Sequence, residues 1–221
     1  MKSITIRDTK ENIPVGKILC IGRNYAEHAK EMKADVLETP VVFIKPSTAI
    51  IFDGEEIVIP KISDDMHHEV ELVVAIGKSG KNIPASEAHS HILGYAIGLD
   101  MTLRDVQSDA KKKGLPWTAA KGFDTSAPVS EIIPAKLISD PHNLTLICRV
   151  NGEVRQQSST DKMISRIEKL IEYISTIFTL ERGDLIFTGT PEGVSRVVNG
   201  DIIEAELVGF AKIIHQVKSA Y

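Results

Sequence analysis

At 221 residues, with 43% hydrophobic and 25% charged composition, the sequence is long enough to build a globular fold with a sizeable core. Its formal net charge of -4 comes from 26 basic and 30 acidic residues that are interspersed, which excludes the basic footprint of a nucleic-acid partner. No stretch reaches the roughly 18 apolar residues of a membrane span, and the polar start, 1–11, lacks the apolar region of a secretory leader.

Beyond an amino-terminal lead-in over 1–15, no repeat, low-complexity tract or Gly/Ser linker divides the chain, so a single domain over 1–221 is expected. Apolar runs of strand length follow at 17–21, 41–44, 56–59, 70–76, 92–100, 144–150, 185–188, 202–208 and 210–217. Cys20 and Cys148 lie inside two of these runs and read as buried, reduced thiols. That suits a reducing compartment, the cytoplasm or a mitochondrial matrix after leader removal.

Helical signals interrupt the strands at three places. Asn24 as a cap, with Glu27 three residues on, marks a start running through His28 and Glu31 to Met32. Thr102 with Asp105 makes a similar start for a helix to Lys112, which places Arg104 and Gln107 on one face at i, i+3. Over 163–178, Ile164, Ile167, Leu170, Ile171, Ile174 and Phe178 form an apolar stripe at helical spacing, and Gly183 follows as a stop. Between 144–150 and 154–157, Asn151-Gly152 suits a two-residue hairpin turn, whose residues both need positive φ.

The chemistry centres on acids. Glu69 and Glu71 are two apart in a strand and so point to one side of it. A lone Glu-x-Glu is more often a solvated edge. Asp100 shifts that balance, because it ends an apolar strand, where an unmatched carboxylate is costly. Three carboxylates without His or Cys among them suit a hard, oxygen-preferring cation such as Mg²⁺ or Mn²⁺. His67-His68 invites zinc, but adjacent strand residues face opposite ways and the partner spacing of a zinc motif is missing. Gly189-Thr190-Pro191-Glu192-Gly193 lacks the Gly-Lys-Ser/Thr of a phosphate loop and reads as a tight turn. His28 and Glu31 are neighbours on a helix face: either a surface ion pair, or a carboxylate that orients an imidazole and raises its basicity.

The blocks Ile21-Gly22-Arg23-Asn24-Tyr25-Ala26-Glu27-His28, Phe43-Ile44-Lys45-Pro46-Ser47-Thr48, His67-His68-Glu69-Val70-Glu71-Leu72, Leu99-Asp100-Met101-Thr102-Leu103-Arg104-Asp105-Val106-Gln107, Gly114-Leu115-Pro116-Trp117, Ala120-Lys121-Gly122-Phe123-Asp124 and Thr188-Gly189-Thr190-Pro191-Glu192-Gly193-Val194 occur in this order over almost the whole chain. Together they resemble the fumarylacetoacetate hydrolase family. They look most like its short branch, whose activities span acylpyruvate hydrolysis, oxaloacetate decarboxylation and oxaloacetate keto-enol tautomerisation. The resemblance implies an α+β fold, a mixed, mostly antiparallel β-roll with short flanking helices, commonly as a homodimer. It implies Mg²⁺ or Mn²⁺ on Glu69, Glu71 and Asp100, with a catalytic Lys121 beside the metal and Thr125 in its surrounding loop. It implies substrate contacts from Arg23, Lys45, Arg104, Gln107 and Thr190. His28 and Glu31 match a water-activating dyad on a segment that closes over substrate. Where longer members carry a further acidic metal ligand, this sequence reads Arg23-Asn24.

The expectation is an enzyme whose 2-oxo acid substrate chelates the cation, so that enolate charge is met as it develops. One alternative is an isomerase or decarboxylase of longer dienoic diacids in aromatic-acid degradation, of the 2-hydroxyhepta-2,4-diene-1,7-dioate isomerase type. The other is a catalytically silent protein that binds 2-oxo acids or metal.

Overall fold

The computed structural model describes residues 2–9, 11–32 and 39–220. The run Val70–Ile76 is apolar at every position except Glu71 and is buried along its whole length, as a strand covered on both faces must be. It sits inside a six-stranded sheet ordered Ile133–Pro134, Ile92–Leu99, Val70–Ile76, Leu185–Phe187, Ile18–Gly22, Val41–Lys45. Pairing is antiparallel except between Leu185–Phe187 and Ile18–Gly22. A five-stranded sheet runs Glu153–Ser159, Thr145–Val150, Ile202–Leu207, Ala211–Ser219, Ile57–Ile59.

Alternation along the central strands feeds two cores. Leu72, Val74, Ile97 and Leu99 pack with Leu146, Cys148, Ile203 and Ile213 of the second sheet. Val73, Ala75, Ala96 and Phe187 point the other way, into a smaller core closed by Ile4, Ile13, Ile50 and Val129. The result is the expected α+β architecture, a mostly antiparallel roll with four short α-helices among the described residues: α1 Ala26–Glu31, α2 Arg104–Lys113, α3 Thr118–Lys121 and α4 Ile167–Ile177. None is long and apolar enough to cross a membrane. Both cysteines are buried free thiols. The Asn151-Gly152 hairpin forms as expected, with φ of 53° and 81° and Val150 opposite Glu153.

Three helix starts differ from the sequence expectation, and the reason is the same each time. Asn24 does not cap α1; its amide donates to Ser165 O and Thr188 O, and its Oδ1 accepts from Ser165 N–H. Thr102 does not cap α2; Thr102–Leu103 pairs with His67 and Met66, and the helix begins at Arg104. Met163 lies outside α4, bridged to Tyr25, and the helix begins four residues later at Ile167. In each case a residue with a good local capping or helical signal is used in a long-range contact instead.

His215, on Ala211–Ser219, generates a prediction about acid stability. It is 1% exposed, and its Nδ1 lies 2.8 Å from Glu55 O, so the proton sits on Nδ1. Burial lowers its pKa, and the bond to Glu55 and the charges of Asp53 and Glu55 offset this only in part. The unfolded histidine, near pKa 6.5, therefore takes up a proton first as pH falls. Stability is lost from about pH 6.5 downward, by at most about 1.4 kcal/mol per pH unit from this residue. Urea unfolding of His215→Gln between pH 7.5 and 5 is expected to show a shallower acid slope than the wild type; an unchanged slope would assign the acid loss elsewhere.

Candidate metal centre and active-site cleft

Register brings the acids together. Val70 pairs with Leu99 and Glu71 with Gly98, so the next position along opposes Glu69 to Asp100, whose N–H donates to Glu69 O at 2.8 Å. Glu69 falls at the break between Met66–His68 and Val70–Ile76, and Asp100 just past Ile92–Leu99. Their carboxylates and that of Glu71 each offer an oxygen within 4.8 Å of the others, and all three residues are buried. At an effective dielectric of about 20, like charges ~5 Å apart repel by roughly 3 kcal/mol per pair.

Cations from three elements answer that repulsion. Lys121, at the end of α3, places Nζ 2.6 Å from Asp100 Oδ2 and 2.9 Å from Glu69 Oε2, and also donates to Thr102 Oγ1. Lys45, at the end of Val41–Lys45, sits 2.7 Å from Asp100 Oδ1. Arg104 opens α2 with Nη2 on Glu69 Oε1 and Nη1 donating to Gln107 Oε1 at 2.8 Å. Burial would raise the Glu69 carboxyl, but Lys121, Arg104 and His28 outweigh it and hold it well below the usual carboxylate range. Glu71 is treated differently. Burial, with repulsion from Asp100 and Glu69, pushes it well up, and a bond from Gly189 N–H at 2.8 Å offsets this only in part. Gly189 can present that N–H because its φ of +98° suits glycine, and a Cβ there would lie 2.7 Å from Asn24 Cβ.

His28 and Glu31 reach the same cleft from α1. His28 is buried, its Nδ1 3.1 Å from Glu31 Oε2, while Glu31 Oε1 accepts from Gly193 N–H at 3.1 Å. The inner cleft holds about 50 Å³ between the acids, His28, Arg104, Gln107, Lys121 and Thr190, with Arg23, Lys111 and Trp117 also in its wall. That is room for a few waters or a small acid.

The sequence-derived residues do not all land where expected. Glu69, Glu71, Asp100, His28, Lys121, Arg23, Arg104, Gln107 and Thr190 all line the cleft. Glu31 stands behind His28. Lys45 does not line the cleft: it is fully buried, and its ammonium is spent on Asp100 and on the carbonyls of Met101, Lys121 and Ser126, so it stands behind the acids. Thr125, with φ of +69°, accepts from Val58 N–H and is also outside the cleft lining. The Thr190 hydroxyl is already committed, donating to Val70 O and accepting from Gln156 Nε2. Neither histidine of the His67-His68 pair joins the acids: His68 is held by Gln156 and Ser195, and His67 by Asp65. Burial lowers His68 to about 4, against a smaller raising contribution from the Gln156 bond.

Two residues escaped the sequence reading. Gln156 sits inside the hairpin, its Oε1 meeting His68 Nδ1 and Val70 N–H while its amide donates to Thr190 Oγ1 and Pro191 O. No local signal marks it, since its partners lie more than thirty residues away in sequence. Lys111 was legible, because the face defined by Arg104 and Gln107 continues to it at i+7 and i+4.

Comparison with known proteins agrees with this geometry. The family described as fumarylacetoacetate (FAA) hydrolase C-terminal matches residues 17–218. The chain is similar to the mitochondrial oxaloacetate tautomerase FAHD1 of Mus musculus, 51% identical over 201 residues, 91% of each chain. Among solved structures it is similar to fumarylpyruvate hydrolase from Pseudomonas aeruginosa in complex with Mn²⁺ and pyruvate, with TM-score 0.96, 39% identity and coverage of 99% of this chain and 96% of that one. It is also similar to 5-carboxymethyl-2-hydroxymuconate delta-isomerase from Mycobacterium smegmatis, with TM-score 0.84, 40% identity and coverage of 94% and 80%.

Glu71→Gln tests the electrostatic reading of the acids. The amide keeps an acceptor for Gly189 N–H but removes the charge that burial and two carboxylates oppose. The metal-free variant is expected to melt at or above the wild type, by a few degrees for ~1 kcal/mol. Its stabilisation by Mg²⁺ or Mn²⁺ is expected to shrink. Thermal melts with and without cation read both, and a lower metal-free melting temperature would contradict the repulsion argument.

Proposed function

The chain belongs to the fumarylacetoacetate hydrolase family of metal-dependent enzymes, and from that premise we propose that it enolises short 2-oxo acids, tautomerising oxaloacetate and cleaving acylpyruvates by hydrolysis. The observation that carries this reading is that one small cleft is lined by the three acids and by a histidine whose Nδ1 is held by a carboxylate. Glu69, Glu71 and Asp100 fit a hard divalent cation, Mg²⁺ or Mn²⁺: all donors are oxygens, and among the described residues Glu71 makes no ion pair, so a charge is left for the ion to meet. When bound there, the cation supplies Lewis-acid counter-charge at the substrate's keto oxygen, on the order of several kcal/mol.

The chain's own groups divide the remaining work. Arg104 keeps a buried Nε–H without a partner among the described residues, a donor for a substrate carboxylate. Gln107, bonded to Arg104, fixes the guanidinium plane. Glu31 beside Nδ1 selects the tautomer that leaves His28 Nε2 as base. In hydrolysis His28 takes a proton from water, the hydroxide adds to the remote carbonyl, and the bond between that carbon and C3 breaks. The electron pair stays on the pyruvyl fragment as its enolate. His28 then returns the proton to C3, giving pyruvate and the free acid. In tautomerisation the same nitrogen takes the proton from C3 of oxaloacetate and the C2 oxygen receives one, giving the enol; the reverse transfer, oxygen losing a proton and His28 returning one to C3, restores the keto form. Lys121 is a donor there and not a base, since all three of its N–H groups point at acceptors. Decarboxylation of oxaloacetate reaches the same enolate without any water.

The two buried thiols suit a reducing compartment, the cytoplasm or a mitochondrial matrix, and the similarity to a mitochondrial relative supports the second option. A homodimer is part of the proposal. Val41–Lys45 is a sheet edge, and beside it Ile44 and Leu115 are exposed in an apolar groove of about 470 Å³, a face a second copy would cover. Light scattering measures that directly.

The function is tested by turnover of oxaloacetate and acetylpyruvate with Mg²⁺ or Mn²⁺, enol loss and pyruvate release being followed separately. Activity on both that disappears on chelation is expected, and full activity after exhaustive chelation would overturn the metal. His28→Ala is expected to cut acylpyruvate hydrolysis about 10²- to 10⁴-fold and oxaloacetate decarboxylation far less. Equal losses would withdraw the water-activating role. In Glu31→Gln the amide can still accept from Gly193 N–H, but its NH₂ faces Nδ1 and favours the wrong imidazole tautomer. It is therefore expected to lose hydrolysis while α1 stays closed.

A further inference from the structure

Along α2, Arg104, Gln107 and Lys111 stand at i, i+3 and i+7, and all three line the cleft. With a rise of 1.5 Å per residue, Lys111 lies about 10 Å along the helix axis from Arg104. Arg104 is the inner member, tied to Glu69, and Lys111 stands at the mouth, where its ammonium lies 4.9 Å from the Trp117 ring centroid. Unlike Lys121, Lys45 and Arg104, which are each paired with an acid, Lys111 makes no ion pair among the described residues, and its ammonium rests on the indole face. Partial desolvation lowers its pKa, and the nearby charges of Arg104, Arg23 and Lys121 add to this. A lysine held among other cations, with its stem against a tryptophan and no acid to meet it, is electrostatically unsatisfied until an anion arrives.

We propose that Lys111 is the receptor for a second, far carboxylate of the substrate, so that the cleft prefers 2-oxo acids ending in a carboxylate over those ending in a methyl group. This rests on the proposed function in one respect: the 2-oxo acid end is taken to lie at Glu69, Glu71 and Asp100, which leaves the other end pointing along α2 to the mouth. The position of Trp117 completes the receptor, because its ring fixes the ammonium from one side while leaving other N–H directions for the carboxylate. Lys111 thereby sets which substrate is held, not how the bond is broken.

Two matched pairs test this with the full chain loaded with Mg²⁺. For binding, calorimetry compares 2-oxoglutarate with 2-oxopentanoate, acids of equal carbon count that differ only in a carboxylate or methyl at the far end. For turnover, fumarylpyruvate is compared with acetylpyruvate, both cleaved by the same water attack to pyruvate plus fumarate or acetate. The wild type is expected to favour the diacid in each pair. Lys111→Met keeps the stem against Trp117 and removes the charge. It is expected to lower the diacid-to-monoacid ratio about tenfold or more, with the kinetic effect carried by KM rather than kcat. Lys111→Arg is expected to restore most of the ratio. A wild type without preference, or a ratio unchanged in Lys111→Met, would overturn the assignment. The binding pair decides this even if neither acylpyruvate is cleaved, an outcome that would count against the proposed hydrolysis and not against Lys111.

Discussion

Three buried carboxylates held within 4.8 Å of one another are the constraint around which the surrounding structure is organised. Left alone, they would repel by several kcal/mol in all or take up protons. Sheet register puts them together, and the double burial of the sheet keeps water from screening them. Each neighbouring element then delivers a counter-charge: the edge strand Val41–Lys45 ends in Lys45, α3 ends in Lys121, and α2 begins with Arg104. Breaking one of these pairs would leave a buried charge unmatched, which commonly costs about 3–5 kcal/mol. Helices α2 and α3 therefore serve chiefly to carry cations to one point, while α4 packs into the core.

The compensation is uneven, and that unevenness has chemical meaning. Glu69 is met by Lys121 and Arg104, and Asp100 by Lys45 and Lys121. Glu71 receives one backbone N–H and otherwise sees mainly other acids. A site that needed only structural stability would be expected to pair or replace Glu71, because an unpaired buried carboxylate is among the costlier things a core can hold. Keeping it is a stability cost of the kind that functional sites carry and folds do not.

Much of this was legible before the structure. The strands followed from apolar runs, the hairpin from Asn151-Gly152, and the acid triad from spacing on one strand and the end of another, because those signals are local and periodic. What failed was local in appearance and long-range in fact. Asn24 and Thr102 look like caps, yet one side chain ties the start of α1 to Ser165 and Thr188, and the other residue joins a strand pair and meets Lys121. Lys45 sits in a block typical of the site, but sequence cannot say which face of an edge strand a lysine serves, and here it serves the inner one. Gln156 carries no periodic signal at all. Its four bonds join the hairpin to the Thr190 turn and to the strand holding Glu71, a role defined only by who its neighbours are.

Counting donors in the cleft separates a closed floor from an open rim. On the floor, Lys121 has all three N–H groups placed, and the Thr190 hydroxyl both gives and receives. At the rim, the Lys111 ammonium remains to be met by an acid. Removing a cation or a donor from that floor strands a buried charge or acceptor. An open rim can change at small cost to the fold, since Lys111 and neighbouring Leu115 are both exposed. This division offers a physical route by which chains 39% to 51% identical to this one carry names as different as tautomerase, hydrolase and isomerase. In the proposal made here the buried acids and counter-charges serve the enolate-like charge, and Lys111 on the outer turns of α2 selects among acids by their far end.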